Sequence, residues 1–327
     1  MNTRRKVLGL ALAGVLPVFA RAQTPEKLRR VGWLTGGSPK SHAKLLQAFR
    51  EGLREHGWVE GRNLVLELRW AEGKLERVPM LAMELVRLKP DAIVTAANPV
   101  IAAVKKATSS VPIVMATGAD PVAHGLVASL ARPGGNVTGL SGFFEATPTK
   151  MLELAAALVG KGTSVSVLVD VNTPFSRAEY RDAAERTAGA LGVRVKFVEV
   201  AGIEDVSRAF AALAGDPAAA VVVLPSPMFF FLSRDMPRSA AALKRPVIYP
   251  FEESAEAGGL MSYAAPLAES YRRAARYVDL ILKGANPAEL PIEQPTRLSL
   301  AVNLKTASAQ GISIPREILL RADRTIE

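Results

Sequence analysis

The chain has no cysteine and only three histidines, His42, His56 and His124. The absence of cysteine excludes disulfide bonds, thiolate metal ligands and a thiol nucleophile. The sequence also lacks a phosphate-binding loop, a G-x-S-x-G nucleophile motif and the His–carboxylate spacing of a metal site. Gly36-Gly37 does not have the G-x-G-x-x-G spacing of a dinucleotide site, so it indicates a tight turn. We therefore predict a protein that is not an enzyme and that uses neither a metal nor a cofactor.

Beyond the N-terminus, no apolar run reaches the ~20 residues that a membrane-spanning helix needs. The N-terminus itself has basic residues 4–6, an apolar stretch from Val7 to Ala20 and the small residues Ala20 and Ala22. This order predicts a signal peptide over residues 1–22, of either the Sec or the Tat type, with a short membrane anchor as the alternative. Because no cysteine is present for lipid attachment, an exported protein of this kind would stay at the cell only behind an outer membrane. We expect a periplasmic protein that is not a lipoprotein.

The formal net charge is +10. Residues 1–22 carry four basic groups and no acid, which leaves +6 for the remainder. Basic and acidic residues alternate along the predicted helices, which favours solvated helix surfaces over a nucleic-acid-binding patch. We expect a monomer that does not bind nucleic acid.

Strand and helix patterns alternate in two similar series, which predicts an α/β protein with two doubly wound, Rossmann-like lobes of parallel strands. The first series has strands at 31–35, 63–70, 91–95 and 112–115 and helices at 42–56, 77–89, 99–108 and 121–131. The second begins with a helix at 148–159; it has strands at 164–169, 193–200, 219–224 and 246–249 and helices at 175–190, 204–214 and 231–243. Val31 corresponds to Val165, and Pro112 corresponds to Pro246, at the same spacing of 134 residues.

The C-terminal tail adds a strand at 258–263, a helix at 267–282 and a strand at 296–302, which is followed by 305–310. An extra strand–helix–strand after two equal series indicates that the chain crosses back between the lobes. We predict that lobe 1 comprises 23–141 with about 265–290, and that lobe 2 comprises 142–264 with about 291–327. Several crossing segments would make a hinge beside a cleft.

Several motifs together resemble one known family. They are Phe49 to Asn63 (FREGLREHGWVEGRN), Asp120 to Val127 (DPVAHGLV), Leu130 to Gly139 (LARPGGNVTG), Gly258 to Tyr263 (GGLMSY), Ile281 to Pro291 (ILKGANPAELP) and Asn303 to Ala307 (NLKTA). The chain resembles the ABC-transporter substrate-binding family that includes tryptophan- and tyrosine-binding lipoproteins. The resemblance covers residues 29–315. It implies a periplasmic-binding-protein type I fold, a small-molecule ligand trapped by hinge closure, and an ABC permease as partner.

Ligands of open parallel sheets bind beyond the carboxyl ends of the strands. That rule selects three loops in each lobe, and the resemblance places the cleft at the same loops. The candidate ligand-binding residues are Thr35, Gly36, Gly37, Ser38, Thr95, Ala96, Asn98, Thr117, Asp120, Asp170, Asn172, Ser226, Met228, Phe229, Phe251 and Glu252.

Some candidates also have a purely structural interpretation. Asn98 either helps a helix start to hold an anion or caps that helix before Pro99. Asp120 is more typical of a helix cap than of an acid–base pair with His124. Glu252 or Glu253 supplies charge to the cleft or is a solvated loop acid.

Ser226 marks a departure from the amino-acid binders that the chain resembles, which tend to carry an acid after the corresponding strand. A hydroxyl followed by Met228, Phe229, Phe230 and Phe231 does not neutralise an amine. These apolar side chains either line a pocket or belong to the core, and at least one is expected in the cleft. The ligand is therefore predicted to be a small aromatic or apolar organic anion, with an amino acid as the alternative.

Three functions compete with solute capture for an importer: an enzyme, a transcriptional repressor and a subunit that presents a ligand to a membrane sensor. The fold class also carries enzymes, but the motifs described above are absent. Repressor effector domains share the architecture but follow a helix–turn–helix, whereas a signal peptide occupies that place here. An exported subunit that presents a ligand to a membrane sensor stays open.

Overall fold

A computed structural model describes residues 28–142, 147–294 and 297–327. The predicted signal peptide lies outside these residues. The first part of the chain alternates strands and helices: β1 (Arg29–Thr35), α1 (Ala43–Glu55), β2 (Leu64–Trp70), α2 (Val78–Arg87), β3 (Ala92–Ala96), α3 (Asn98–Ala107), β4 (Ile113–Thr117) and β5 (Val137–Gly139). The sequence predicts each of these elements except β5.

The second part repeats this alternation and then adds a C-terminal tail. Its elements are α4 (Thr147–Val159), β6 (Ser164–Asp170), α5 (Ala178–Leu191), β7 (Arg194–Val200), α6 (Ile203–Ala214), β8 (Ala220–Val223), α7 (Pro227–Phe231), α8 (Met236–Ala240), β9 (Val247–Tyr249), α9 (Glu252–Glu256) and β10 (Met261–Ala264). The tail comprises α10 (Leu267–Leu282), β11 (Ser299–Asn303), α11 (Leu304–Gln310), α12 (Arg316–Arg321) and β12 (Arg324–Ile326).

The described strands form two sheets, one in each lobe. Lobe 1 has the order β2-β1-β3-β4-β5 and is parallel throughout. Lobe 2 repeats this order as β7-β6-β8-β9-β10 and continues into β11 and β12, with β10 and β11 antiparallel. The buried parallel strands are rich in valine and isoleucine, as expected for strands covered on both faces. The predicted doubly wound α/β fold with two lobes is confirmed.

The internal repeat extends to individual hydrogen bonds. In lobe 1 the Ile93 N–H donates to the carbonyl of Pro112 at 2.8 Å, and in lobe 2 the Val221 N–H donates to Pro246 at 2.9 Å. Each proline lies just before a strand, where its missing N–H costs no ladder bond.

The tail is divided between the lobes. Helix α10 packs on α1 and on the lobe 1 strands β3 and β4. The segment after α10 stays with lobe 1, since Ile292 donates to the carbonyl of Leu130 and Glu293 to that of Gly139. Strand β11 then joins the lobe 2 sheet. The chain therefore passes between the sheets after β5, after β10 and before β11.

Two predicted helices are wrong. The structure has turns, not a helix, over 121–131, because Gly125 adopts a positive φ of 63° and the Leu126 N–H returns to the carbonyl of Pro121. The predicted helix 231–243 is instead split into α7 and α8. Pro237 cannot donate within a helix, so it is placed in the first turn of α8.

Candidate functional site

A cleft of about 1020 Å³ lies between the lobes, bounded by the carboxyl ends of strands from both sheets. Its lobe 1 wall comes from the segments after β1, β2, β3 and β4, and its lobe 2 wall comes from the segments after β6, β7 and β8 and from Phe251 after β9. Leu267 and Tyr271 of α10 complete the wall. The cleft is lined mainly by apolar groups with a few polar ones, which is typical of a small-molecule site.

Most of the predicted ligand-binding residues line this cleft. They are Thr35, Gly36, Gly37, Ala96, Asn98, Thr117, Asp170, Asn172, Ser226, Met228 and Phe251. The strand-end rule therefore brings these positions from two lobes to one place. Their contact with a ligand stays a prediction.

Five predicted residues are placed elsewhere. Thr95 is 1% exposed and precedes the cleft-lining Ala96, so its side chain points to the opposite face of the sheet. Phe229 is fully buried in the core. Ser38 closes a turn with Ser41, to whose hydroxyl its N–H donates at 3.0 Å.

The other two are Asp120 and Glu252. Asp120 accepts a hydrogen bond from the Ala123 N–H at 3.0 Å, so it stabilises the turn that replaces the predicted helix. His124 lines the cleft, but its ring nitrogen contacts the Asp120 backbone carbonyl and not the carboxylate. Glu252 forms an ion pair with Arg324, which neutralises it at the lobe 2 surface.

Asn98 connects two of the lobe 1 loops. Its side-chain amide donates to the Ala119 carbonyl at 2.6 Å, and its Oδ1 accepts from the Ala119 N–H at 3.0 Å. The predicted capping role is wrong, because Ala97 occupies the cap position with φ 67° and Asn98 is the first helical residue. The side chain therefore holds the β4 loop against the start of α3, whose amide groups face the same end of the sheet.

A hydrogen-bonded chain of Thr35, His42 and Ser41 forms another part of the lobe 1 wall. His42 Nε2 lies 2.7 Å from Thr35 Oγ1, and His42 Nδ1 lies 3.0 Å from Ser41 Oγ. The Gly37 N–H also donates to Thr35 Oγ1 at 3.2 Å. Burial lowers the pKa of His42 to about 3, so the imidazole is neutral.

Aromatic side chains dominate the lobe 2 wall. Ser226 caps α7, because its Oγ accepts from the Phe229 N–H at 2.9 Å. That bond leaves the hydroxyl proton of Ser226 free to donate. Met228, Phe230 and Phe231 line the cleft, and the Phe230 ring lies 5.0 Å from that of Phe251.

Three described acidic residues of lobe 2 line the cleft: Asp170, Glu204 and Asp205. Asp170 is buried, and its Oδ1 accepts from both the backbone N–H and the side-chain amide of Asn172. Glu253 is buried behind Phe251 and is not part of the cleft wall. Burial raises the pKa of Glu253, which favours its neutral form. No described acid follows β8 at the cleft, where Ser226 stands.

Sequence reasoning missed His42, Phe230, Phe231, Leu267 and Tyr271. His42 could have been found, since it lies at the start of the first helix after a cleft-facing strand. Phe230 and Phe231 belonged to a recognised apolar run, but only the position of α7 shows which members face the cleft. Leu267 and Tyr271 come from α10, whose return to lobe 1 is a tertiary feature.

Within the described residues, no group of three or more His, Asp or Glu side chains could hold a metal ion. No helix of the described part is long and apolar enough to span a membrane.

Comparisons with known proteins agree with this architecture. Residues 38–326 match the family model described as "ABC transporter substrate binding protein". The "Tyrosine-binding protein" of Clostridioides difficile is 25% identical over 99% of this chain and 98% of its own length.

Two solved structures share the fold. One, from Streptococcus pneumoniae in complex with L-Trp, has a TM-score of 0.81 at 24% identity and covers 91% of this chain and 99% of its own. A conserved domain protein from Vibrio cholerae has a TM-score of 0.82 at 26% identity, with 91% and 100% covered. The chain therefore belongs to the ABC transporter substrate-binding protein family, the solute-binding components of these transporters.

Proposed function

We propose that this protein is exported to the periplasm, where it captures a small organic molecule by closing its lobes and delivers it to an ABC permease of the inner membrane. The cleft carries this proposal, because loops from both sheets reach it and no single lobe encloses it. A site shared by two lobes couples ligand contact to lobe position, since the ligand stabilises the arrangement in which both walls touch it. The protein performs no chemistry on the ligand and acts as a monomer.

The packing of the chain supports a division into two lobes with the following residue boundaries. Among the described residues, we infer that lobe 1 comprises 28–142 with 265–293, since the Gly142 N–H donates to the carbonyl of Gly118, and that lobe 2 comprises 147–264 with 297–327. The hydrogen bonds of Ile292 and Glu293 to lobe 1 support a boundary slightly later than the sequence predicts. The crossing segment at 264–267 lies between β10 and α10 and is part of the hinge.

We propose an aromatic or apolar body for the ligand. Phe230, Phe231, Met228 and Tyr271 provide apolar surface in the wall. Aromatic rings in such a wall pack edge-to-face or offset against an aromatic ligand.

We further propose that the charged group of the ligand is a carboxylate without an accompanying ammonium. The start of α3 and the Ser226 hydroxyl offer hydrogen-bond donors. Among the described cleft residues, Asp170 is the one buried acid, and Asn172 already donates to it twice. Both of these bonds fall on Oδ1, so an ammonium would have to bind Asp170 through Oδ2, beside the bonds that stabilise the loop after β6.

A thermal-shift screen tests the proposed function. The mature protein is heated with amino acids, aromatic carboxylates, nucleosides and sugars, and a ligand at 100 times its Kd adds about 2.7 kcal/mol to the free energy of unfolding. We expect the largest shift from an aromatic carboxylate. No shift from any class, or ligand turnover by the purified protein, would contradict the proposal.

Two compounds that differ only in the ammonium group test the ligand class. We expect 3-phenylpropionate to bind more tightly than L-phenylalanine in calorimetric titrations. Asp170→Asn should leave 3-phenylpropionate binding unchanged or strengthened, and Glu204→Gln, at an exposed acid on the rim, is the matched control. Tighter binding of L-phenylalanine that is lost in Asp170→Asn would show that Asp170 holds an amine.

A further inference from the structure

His42 lies where the two lobes meet. It occupies the N-terminal end of α1 in lobe 1, and its ring is held there by Thr35 and Ser41 through both nitrogens. On its other side is Phe230 of lobe 2, whose ring centroid lies 4.9 Å away at an interplanar angle of 85°. The imidazole therefore has hydrogen-bond partners in one lobe and an aromatic partner in the other.

Other contacts join the lobes beside His42. Lys44, two residues further along α1, forms an ion pair of 2.6 Å with Glu256 of α9 in lobe 2. Gly73 approaches Phe231 so closely that a Cβ at this position would lie 3.3 Å from the ring. One apolar cluster extends from Trp33 and Phe49 in lobe 1 to Phe230 in lobe 2. These contacts join the two lobes in this structure, and we expect separation of the lobes to break them.

The burial of His42 depends on this arrangement. The residue is 6% exposed, and Phe230 and Trp70 cover its ring, with the Trp70 centroid 6.2 Å away. We expect separation of the lobes to move Phe230 away from His42 and to expose the imidazole to water in the cleft.

Within the described part of the chain, the contacts of the His42 ring are with uncharged side chains. Thr35 and Ser41 face it from β1 and the loop before α1, Trp70 from β2 and Phe230 from α7. Among the described residues, Lys44 on the same helix is directed to Glu256, and Lys74 and Glu76 line the neighbouring cleft wall. Desolvation is accordingly the cause that lowers the pKa of His42.

We propose that His42 is a closure sensor: its imidazole must be neutral for the lobes to close, so that acidification opens the cleft and weakens ligand capture. This inference rests on the proposed function, because it requires lobes that open and close. It adds a positioning residue, one that acts through Thr35 and Phe230, to the cleft described above.

The sign and size of the effect follow from linkage. The closed form has a pKa of about 3 for His42, and an open form is expected to have the ordinary value of 6.5. The neutral His42 imidazole contributes fully to the free energy of closing above pH 6.5, and this contribution is lost as the pH falls from 6.5 toward 3. Between pH 7.5 and 5.5 the closing equilibrium should therefore fall about tenfold.

A cross-linking experiment measures this without any ligand. The chain has no cysteine, so Lys44→Cys and Glu256→Cys introduce the only thiols, at positions whose native side chains contact each other across the two lobes. The rate at which a short bismaleimide joins them reports the closed population. Because thiol reactivity also varies with pH, each rate is divided by the rate in the same protein carrying His42→Gln.

We expect this ratio to fall from pH 7.5 to 5.5, by about tenfold where the closed form is the minor species and by less where it dominates. His56→Gln and His124→Gln remove the other two histidines and should keep the fall, and His42→Asn serves if His42→Gln does not fold. A ratio that is independent of pH would overturn the sensor role. A failure to cross-link at any pH would overturn closure itself, whereas a failure of the ligand screen alone would leave this result standing.

Discussion

Gly52 is the position at which α1 approaches α10 most closely, and its replacement by alanine tests how the tail is held to lobe 1. A Cβ added at Gly52 would lie 2.4 Å from the carbonyl oxygen of Arg272 and 2.8 Å from the Cβ of Ala275. Both distances are far below van der Waals contact, and the first involves backbone. No change of rotamer relieves it, so α1 and α10 must move apart.

Two opposing effects decide the size of the change. Alanine in a helix is favoured over glycine by about 1 kcal/mol. Overpacking in a tightly packed core costs about 1–3 kcal/mol, and a clash with backbone belongs at the upper end. We therefore expect Gly52→Ala to lower the free energy of unfolding by about 2 kcal/mol, which corresponds to a fall in Tm of about 4–8 °C for lobes of this size.

Gly189→Ala is the matched control. Gly189 lies in α5, and nothing is within 4 Å of a Cβ added there. This variant should be stabilised by about 1 kcal/mol through helix propensity alone. Urea and thermal unfolding of both variants measure the difference. Equal stability of the two variants would refute the close packing of α1 on α10, and with it the placement of Tyr271 in the cleft wall.

Three further predictions concern lobe 2 and its contacts. Ser226→Ala should lower the free energy of unfolding in urea by about 1 kcal/mol, because it removes the cap of α7. Ser233→Ala removes a buried hydroxyl without a partner among the described residues, so it should be neutral or stabilising. Equal losses of stability in the two variants would contradict the capping role of Ser226. Burial acts to raise the pKa of Glu256, but hydrogen bonds from Lys44 and Arg324 outweigh it and hold that pKa below its ordinary 4.5. The ionised Glu256 therefore stabilises the folded state above pH 4.5, and this stabilisation is lost as the pH falls below that value. In urea unfolding, the Glu256→Gln variant should accordingly lose less stability on acidification than the native chain. Phe230→Ala should weaken 3-phenylpropionate binding in calorimetry more than Phe197→Ala, whose ring is outside the cleft lining, and an equal effect would remove Phe230 from the site.

The fold was largely accessible from the sequence because its two series have strong periodicities. Helix α10 was predicted with its observed bounds, since its apolar stripe is unbroken and Gly284 follows it. The failures are local and have physical causes. Helix 121–131 was predicted from composition, but Gly125 and Pro133 direct its backbone bonds elsewhere. Strand β5, with three residues, is too short to show a period.

The sequence predicted the loops that form the candidate site, because these loops follow the ends of the strands, but it did not predict the directions of their side chains. The loops after β1, β3, β6 and β8 reach the cleft as the topology of a parallel sheet requires. Side-chain direction was not accessible at this level, so Thr95 was selected although its neighbour Ala96 lines the cleft. Interactions between residues distant in sequence were also not predictable: the Asn98 side chain hydrogen-bonds to Ala119, and Glu252 forms an ion pair with Arg324.

Lobe closure around a small molecule is measured most directly as a distance across the cleft. Spin labels at Lys106→Cys on α3 and Glu185→Cys on α5 stand on exposed helix positions of opposite lobes in a chain that has no other thiol. We predict that 3-phenylpropionate at saturation shortens and narrows the distance distribution between them. An unchanged distribution, with a compound that nevertheless raises the melting temperature, would show that binding does not close the lobes.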